Sequence, residues 1–209
     1  MPQTTEEKLR EIKRSFRLMM NGVASKSMRE KGLNYKLNWG VAYTDLRTMA
    51  AEYGKDYSLA IELWKENIRE CKILATMMMP PEEMPAEVAD LWLEQAPTQE
   101  IVEMLAFNLL QYLSYIPVLA YEWIATDIEL RQIAGYLVLA RLFMRGETPD
   151  ERGLNEIIDQ AIVALGDKSI AVRHAAYTCL QRLAQAGQTY SIIINTALQQ
   201  AGQENFASF

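Results

Sequence analysis

The chain has 209 residues, half of them hydrophobic and 23% charged, which excludes a disordered tail, a collagen and a disulfide-stapled secreted module. Ten Gly and seven Pro are too few for an all-β fold built on many tight turns. A net charge of −6, taken as a single total, argues against a general nucleic-acid binder.

Taken in chain order, the pattern is helical nearly throughout. Thr4 with Glu7 forms a capping box for a first helix running to about Asn21. A second helix starts near Val23 and stops at Gly32. Residues 33–43 form an irregular segment, after which Thr44 is expected to cap a helix ending at Gly54. From Ser58 the run SLAIELWKEN leads into IRECKILATMMM, stopped by Pro80-Pro81. Pro85 suits the first turn of a helix over Glu87–Gln95. Thr98 caps QEIVEMLAFNLLQYLS, which is apolar on most sides and so is expected to lie centrally. Pro117 opens a shorter helix to about Ala125. Thr126 with Glu129 reads as a second capping box, for a helix running to Gly146. Pro149-Asp150 starts a helix ending at Gly166, and Ser169 one ending at Gly187. A last helix covers about Thr189–Ala201, with a short tail at about 202–209.

About a dozen short-linked helices without a convincing strand predict an all-α fold. Helix pairs recur at the 40-residue scale of HEAT and armadillo repeats, so the expected architecture is an α-α superhelix forming one domain over 1–209. The clearest repeat is DKSIAVRHAAYTCLQRLAQAG, residues 167–187, whose Arg is expected to pair with the Asp of a neighbouring repeat.

Several chemistries have no motif to support them. Cys71 and Cys179 lie far apart in no ligand spacing, so two buried, reduced thiols and a cytoplasmic address are expected. His174 is the sole histidine, which leaves a metal site or a Ser-His-Asp triad without partners. There is no Walker loop and no GxGxxG, so no cofactor is expected. The opening MPQTTEEKLREIKR lacks a signal-peptide apolar core. The uncharged stretch Met104 to Tyr121 is interrupted by Asn108, Gln111, Ser114 and Pro117, and reads as a buried helix and turn, not a membrane span.

Three segments carry a resemblance to a known family. They are LWKENIRECKILA from Leu63, QEIVEMLAFNLL from Gln99, and VRHAAYTCL from Val172. In this order they resemble the HEAT-like DNA alkylation-repair glycosylases, the AlkD-like family, over roughly residues 20–185. The resemblance implies hydrolytic excision of cationic alkylated purines from DNA held in a basic groove. It also implies an aspartate that stabilises the sugar cation and two tryptophans that pack on the deoxyribose. On this correspondence the catalytic candidates are Glu103, at the aspartate's position, and Arg131, near the family's arginine. Gln99 and Thr178 stand at the tryptophan positions and, with Phe107 and Tyr177, are the cleft-lining candidates. Glu103 adds a methylene to the family's aspartate, and Gln99 and Thr178 lack a π face.

Charge is distributed unevenly. Residues 1–75 hold fourteen Lys/Arg against ten Asp/Glu, whereas residues 76–129 hold ten acids and no base. Double-stranded DNA is therefore expected to meet the N-terminal basic region, with Arg14, Arg17, Lys26, Arg29 and Lys36, joined by Arg173, as the phosphate-contact candidates. Asn34, Tyr35, Asn38 and Trp39 flank these cations, but Glu6, Glu7, Glu11 and Glu30 interleave with them as on an ordinary solvated face. Glu100, Glu103, Phe107 and Gln111 form a polar-aromatic stripe at helical spacing. Three functions stay open: an alkylpurine glycosylase, a non-catalytic nucleic-acid binder, and a HEAT-type scaffold for a protein partner. No membrane association is expected.

Overall fold

The computed structural model describes residues 3–206. The remainder of the expected C-terminal tail, residues 207–209, lies outside the described residues. Twelve α-helices and no strand occur among the described residues, and one isolated bridge joins Leu37 to Ile68. The all-α expectation therefore holds. The chain divides into two compact units, Met1–Leu109 and Leu110–Phe209.

The first unit contains α1 (Thr5–Leu18), α2 (Gly22–Glu30), α3 (Tyr43–Tyr53), α4 (Tyr57–Lys65), α5 (Arg69–Met78), α6 (Ala86–Glu94) and α7 (Gln99–Asn108). The capping box at Thr4 forms as expected: Thr4 Oγ1 accepts from Glu7 N–H, and the Glu7 carboxylate accepts from Thr4 N–H at 2.8 Å. Ile12 and Phe16 turn inward from α1. Two ion pairs tie that helix to both ends of α4, Lys8 to Asp56 at 2.7 Å and Lys13 to Glu66 at 2.9 Å. Asp56 is itself the N-cap of α4, accepting from Leu59 N–H. Lys55 closes the far end of α5, donating to the carbonyls of Met77 and Met79.

The central helix of this unit is α5, not α7. On α5 every residue but Met77 is buried, including Arg69, Glu70 and Lys72, and it packs against α3, α4 and α7. In contrast, α7 exposes Gln99 and Phe107 and stops at Asn108 instead of continuing to Ser114. A 3-10 turn over Leu110–Tyr112 follows. Other boundaries differ from expectation as well: α1 ends at Leu18, short of Asn21, which is instead the N-cap residue of α2. The third helix begins at Tyr43 behind Ala42, with no side-chain cap from Thr44. Pro85 is the N-cap residue of α6, one position earlier than expected.

The second unit contains α8 (Ile116–Ile124), α9 (Glu129–Met144), α10 (Glu151–Ala164), α11 (Ile170–Gln185) and α12 (Gln188–Gln200), ending in a 3-10 turn over Glu204–Phe206. Its middle is α9, packed between α8 and α11. A Cβ on Gly135 would stand 2.6 Å from Ile124 Cγ2 and 2.7 Å from Ala120 O, so only glycine admits this approach of α8 to α9. The expected capping box at Thr126 does not form. Ile128 is the N-cap residue of α9, and Glu129 instead accepts from Ser169 Oγ, the cap of α11, at 2.6 Å. Trp123 and Tyr136 are core residues, while Tyr112 is exposed under the Arg145 guanidinium and Tyr121 donates to Gly153 O.

Candidate nucleic-acid interface

The site is built outward from two adjacent charged residues inside α5. Glu70 has no solvent exposure, and its two oxygens accept from the backbone N–H groups of Trp39 (3.2 Å), Gly40 (3.0 Å) and Val41 (3.3 Å). A buried carboxylate needs such donors, because its desolvation is otherwise uncompensated. Arg69 grips Glu100 of α7 with Nε at 2.8 Å and Nη2 at 2.6 Å, and its Nη1 reaches Val41 O at 3.2 Å and Glu70 at 3.3 Å. The Tyr35 hydroxyl donates to Glu100 and meets Thr98 Oγ1, the cap of α7. Burial pushes the Glu100 carboxyl up, but its hydrogen bonds from Arg69 and Tyr35 and the arginine charge outweigh that and hold it below its ordinary value. The Arg-Glu pair of the sequence signature thus moulds the segment between α2 and α3.

The rest of the signature is also structural. Lys72 Nζ donates to Trp64 O at 2.6 Å and lies 4.3 Å from the centroid of the Trp64 ring. Trp64 stacks on Trp92 of α6 at 4.3 Å and 3°, and its indole N–H donates to Gln95.

The moulded segment in turn fixes the junction of α1 and α2. Asn21 N–H donates to Trp39 O at 2.9 Å, Asn21 Oδ1 accepts from Ala24 N–H, and Ser25 Oγ donates to Asn38 O. Gly40 has φ +72°, and a Cβ there would meet Asn21 O at 2.2 Å. Arg14, Arg17, Lys26, Arg29 and Lys36 are all exposed on α1, α2 and this segment. Arg17 lies over the Trp39 ring at 5.9 Å, and Lys26 is 3.8 Å from Glu30.

On α7, Gln99, Glu103 and Phe107 share one face at spacing i, i+4, i+8. Gln99 Nε2 donates to Glu103 at 2.8 Å, and the Phe107 ring is 6.4 Å from that of Tyr43, whose hydroxyl donates to Asn108. The expected four-residue stripe does not hold together: Glu100 is consumed by Arg69, and Gln111 is buried in the 3-10 turn. Arg131 is half-buried in the first turn of α9. Tyr177 of α11 packs on Phe206 at 5.9 Å, with Thr178 half-buried beside it. Arg173 does not reach the Asp of a neighbouring repeat: its Nη1 donates to the carbonyls of Asp167 and Lys168 in its own turn. Both cysteines are buried free thiols, and no group of His, Cys, Asp or Glu among the described residues is arranged to hold a metal.

Sequence reasoning missed Glu70, Gly40 and Asn21 as organisers of this surface. The Asn21-Gly22 pair and the N-W-G triplet at 38–40 were the available signals.

This arrangement is a helical-repeat fold with an exposed basic surface on its first unit. A solved structure described as representing a new family of proteins related to the HEAT-like repeat DNA glycosylases with affinity for branched DNA structures matches it with a TM-score of 0.80. That match has 16% identity and covers 92% of this chain and 82% of the other. The fold is therefore of the HEAT-like repeat type. The family model described as DNA alkylation repair enzyme matches residues 6–192, and the chain belongs to that family. No curated protein sequence matches the chain.

Proposed function

We propose that this chain is a DNA-binding member of the DNA alkylation repair family. It holds double-stranded DNA on the α1–α2 surface of its first unit and does not release alkylated bases. The observation that carries this reading is the fate of the N-terminal cations. Lys8 and Lys13 are spent on α4, whereas Arg14, Arg29 and Lys36 are exposed and form no ion pair among the described residues. Unpaired cations on a rigid surface neutralise phosphates at the smallest loss of intramolecular pairing. A protein with affinity for branched DNA having the same fold supports the same partner. A cytoplasmic address fits the two free thiols.

Loss of excision is supported by the surroundings of Glu103. Stabilising a sugar cation calls for a preorganised, water-excluded carboxylate with π faces beside it. Glu103 is instead half-exposed and hydrogen-bonded to the exposed amide of Gln99, where the resembling family places a tryptophan.

The test is incubation with methylated duplex DNA, scoring released purines alongside binding at low salt. Binding without release is the expected result. Release that disappears in Glu103→Gln and Arg131→Ala would establish the glycosylase reading instead. Absence of binding even at low salt would leave the protein-scaffold reading.

A further inference from the structure

We propose that the turn joining α1 to α2 is a wedge for broken or branched DNA: Leu18, Met20 and Val23 enter between base pairs at a discontinuity while cations on the flanking helices hold the phosphates. The inference rests on the DNA-binding reading above and deepens it by naming the side chains that engage a discontinuity in the duplex.

Leu18 is 89% exposed, Met20 63% and Val23 82%, so three apolar side chains stand in water within six positions. They are not a misplaced piece of the core, because the apolar residues of α1 that pack inward are Ile12 and Phe16. Arg14 and Arg17 lie just before the turn, and Lys26 and Arg29 follow it by one to two helical turns, all exposed. On the α3 side Leu18 and Met19 themselves line a shallow groove with Asp45 and Glu52, so phosphates are favoured on the α1–α2 side only.

The turn is also stiff. Asn21, between Met20 and Val23, is held through its backbone by Trp39 and caps α2 through its side chain. Gly40 packs against Asn21 too closely for any Cβ, and the Glu70 carboxylate fixes residues 39–41 behind it. A wedge must keep its shape while it unstacks a base step, and this backbone is held from both sides.

The size of the patch selects the occupant. Three side chains fall far short of the roughly 1,200–2,000 Å² of a stable protein interface. A membrane-lying helix needs a continuous apolar face, and that of α1 is turned to the core. A base step is a narrow apolar gap bordered by phosphates, and Leu and Met side chains are suited to enter it.

The experiment places 2-aminopurine at the branch point of a three-way junction and, separately, inside an uninterrupted duplex. Full-length protein is compared with Leu18→Ser/Met20→Ser/Val23→Ser, with Leu18→Ser alone in case the triple variant does not fold, and with Arg14→Ala/Arg29→Ala. The parent is expected to raise fluorescence at the branch and to prefer the junction. The wedge variants should lose the signal and about tenfold of that preference, as for apolar side chains returned to water, while keeping their duplex affinity and its salt dependence. The arginine variant should weaken on both DNAs. Wedge variants that keep both signal and preference overturn the proposal, as does a loss confined to binding of anionic phosphatidylserine vesicles. Failure of the parent to bind either DNA at low salt sinks the DNA-binding reading itself, and the wedge with it.

Discussion

Arg69 holds both carboxylate oxygens of Glu100 across 31 positions of sequence, and the pair joins α5 to α7 inside the first unit. Arg69 also contacts Glu70 and the carbonyl of Val41, so one guanidinium ties a helix pair to the segment that carries the α1–α2 turn. The most characteristic motif of the chain is therefore scaffolding beneath the exposed basic surface of the first unit, and not part of that surface.

That pair predicts an acid limb in stability. Glu100 titrates below its ordinary value in the folded protein, so its contribution is fully present above the unfolded value of 4.5 and is lost as pH falls through the folded pKa. Urea midpoints measured from pH 7 downward should fall below about pH 4.5, and less steeply in Glu100→Gln than in the parent. Equal slopes in the two proteins would contradict the pairing.

Glu70 gives a larger effect. Glu70→Ala removes the acceptor for three backbone N–H groups and leaves Arg69 with an uncompensated share of buried charge. The expected loss, read from chemical denaturation, is about 3–5 kcal/mol. Glu70→Gln keeps the shape and one acceptor oxygen and should lose less.

Gly40 and Gly54 make a matched comparison. Both have φ +72°, but a Cβ on Gly54 meets nothing within 4 Å whereas one on Gly40 strikes Asn21 O. Gly54→Ala should cost about 1–2 kcal/mol for the backbone alone. Gly40→Ala should cost more and should also weaken DNA binding, by displacing the α1–α2 turn. Identical melting shifts for the two variants would refute the steric account.

Thiol chemistry reports on both units at once. Burial pushes the Cys71 and Cys179 thiols up, so neither offers a thiolate near neutral pH. Ellman's reagent should find no reactive thiol in the native protein and both in denaturant. Rapid labelling of either under native conditions would show local opening at that helix.

Salt dependence addresses the basic surface. Each of Arg14→Ala, Arg29→Ala and Lys36→Ala should lower the slope of log affinity against log salt by about one. A slope unchanged in all three would move the DNA contact away from the first unit.

Helix positions were legible because their signals are local. Thr4 with Glu7, Thr98, Asp150 and Ser169 cap the helices that follow them through side chains within three residues. Where the cap was misjudged, a distant residue had claimed the side chain: Glu129 was expected to close a box with Thr126 but is bonded to Ser169, 40 positions on. The candidate site divides the same way. The exposed cations of α1 and α2 follow from spacing, but the use of Glu100 by Arg69, which breaks the α7 stripe, depends on helices that meet only in the folded unit.

By itself the sequence determined an all-helical chain, the start and end of most helices, an uneven charge and a family resemblance, because caps, periodicity and composition act over a few residues. Only the tertiary structure decided that α5 and not α7 is the central helix of the first unit. The reason is electrostatic. Arg, Glu and Lys are seldom fully buried unless paired, and α5 is buried with Arg69, Glu70 and Lys72 on it because Glu100, the N–H groups of residues 39–41 and the Trp64 carbonyl satisfy those charges from elsewhere in the chain. The apolar turn at Leu18–Val23 was equally undecided: an apolar residue beside a helix end reads as core until the fold leaves it in water.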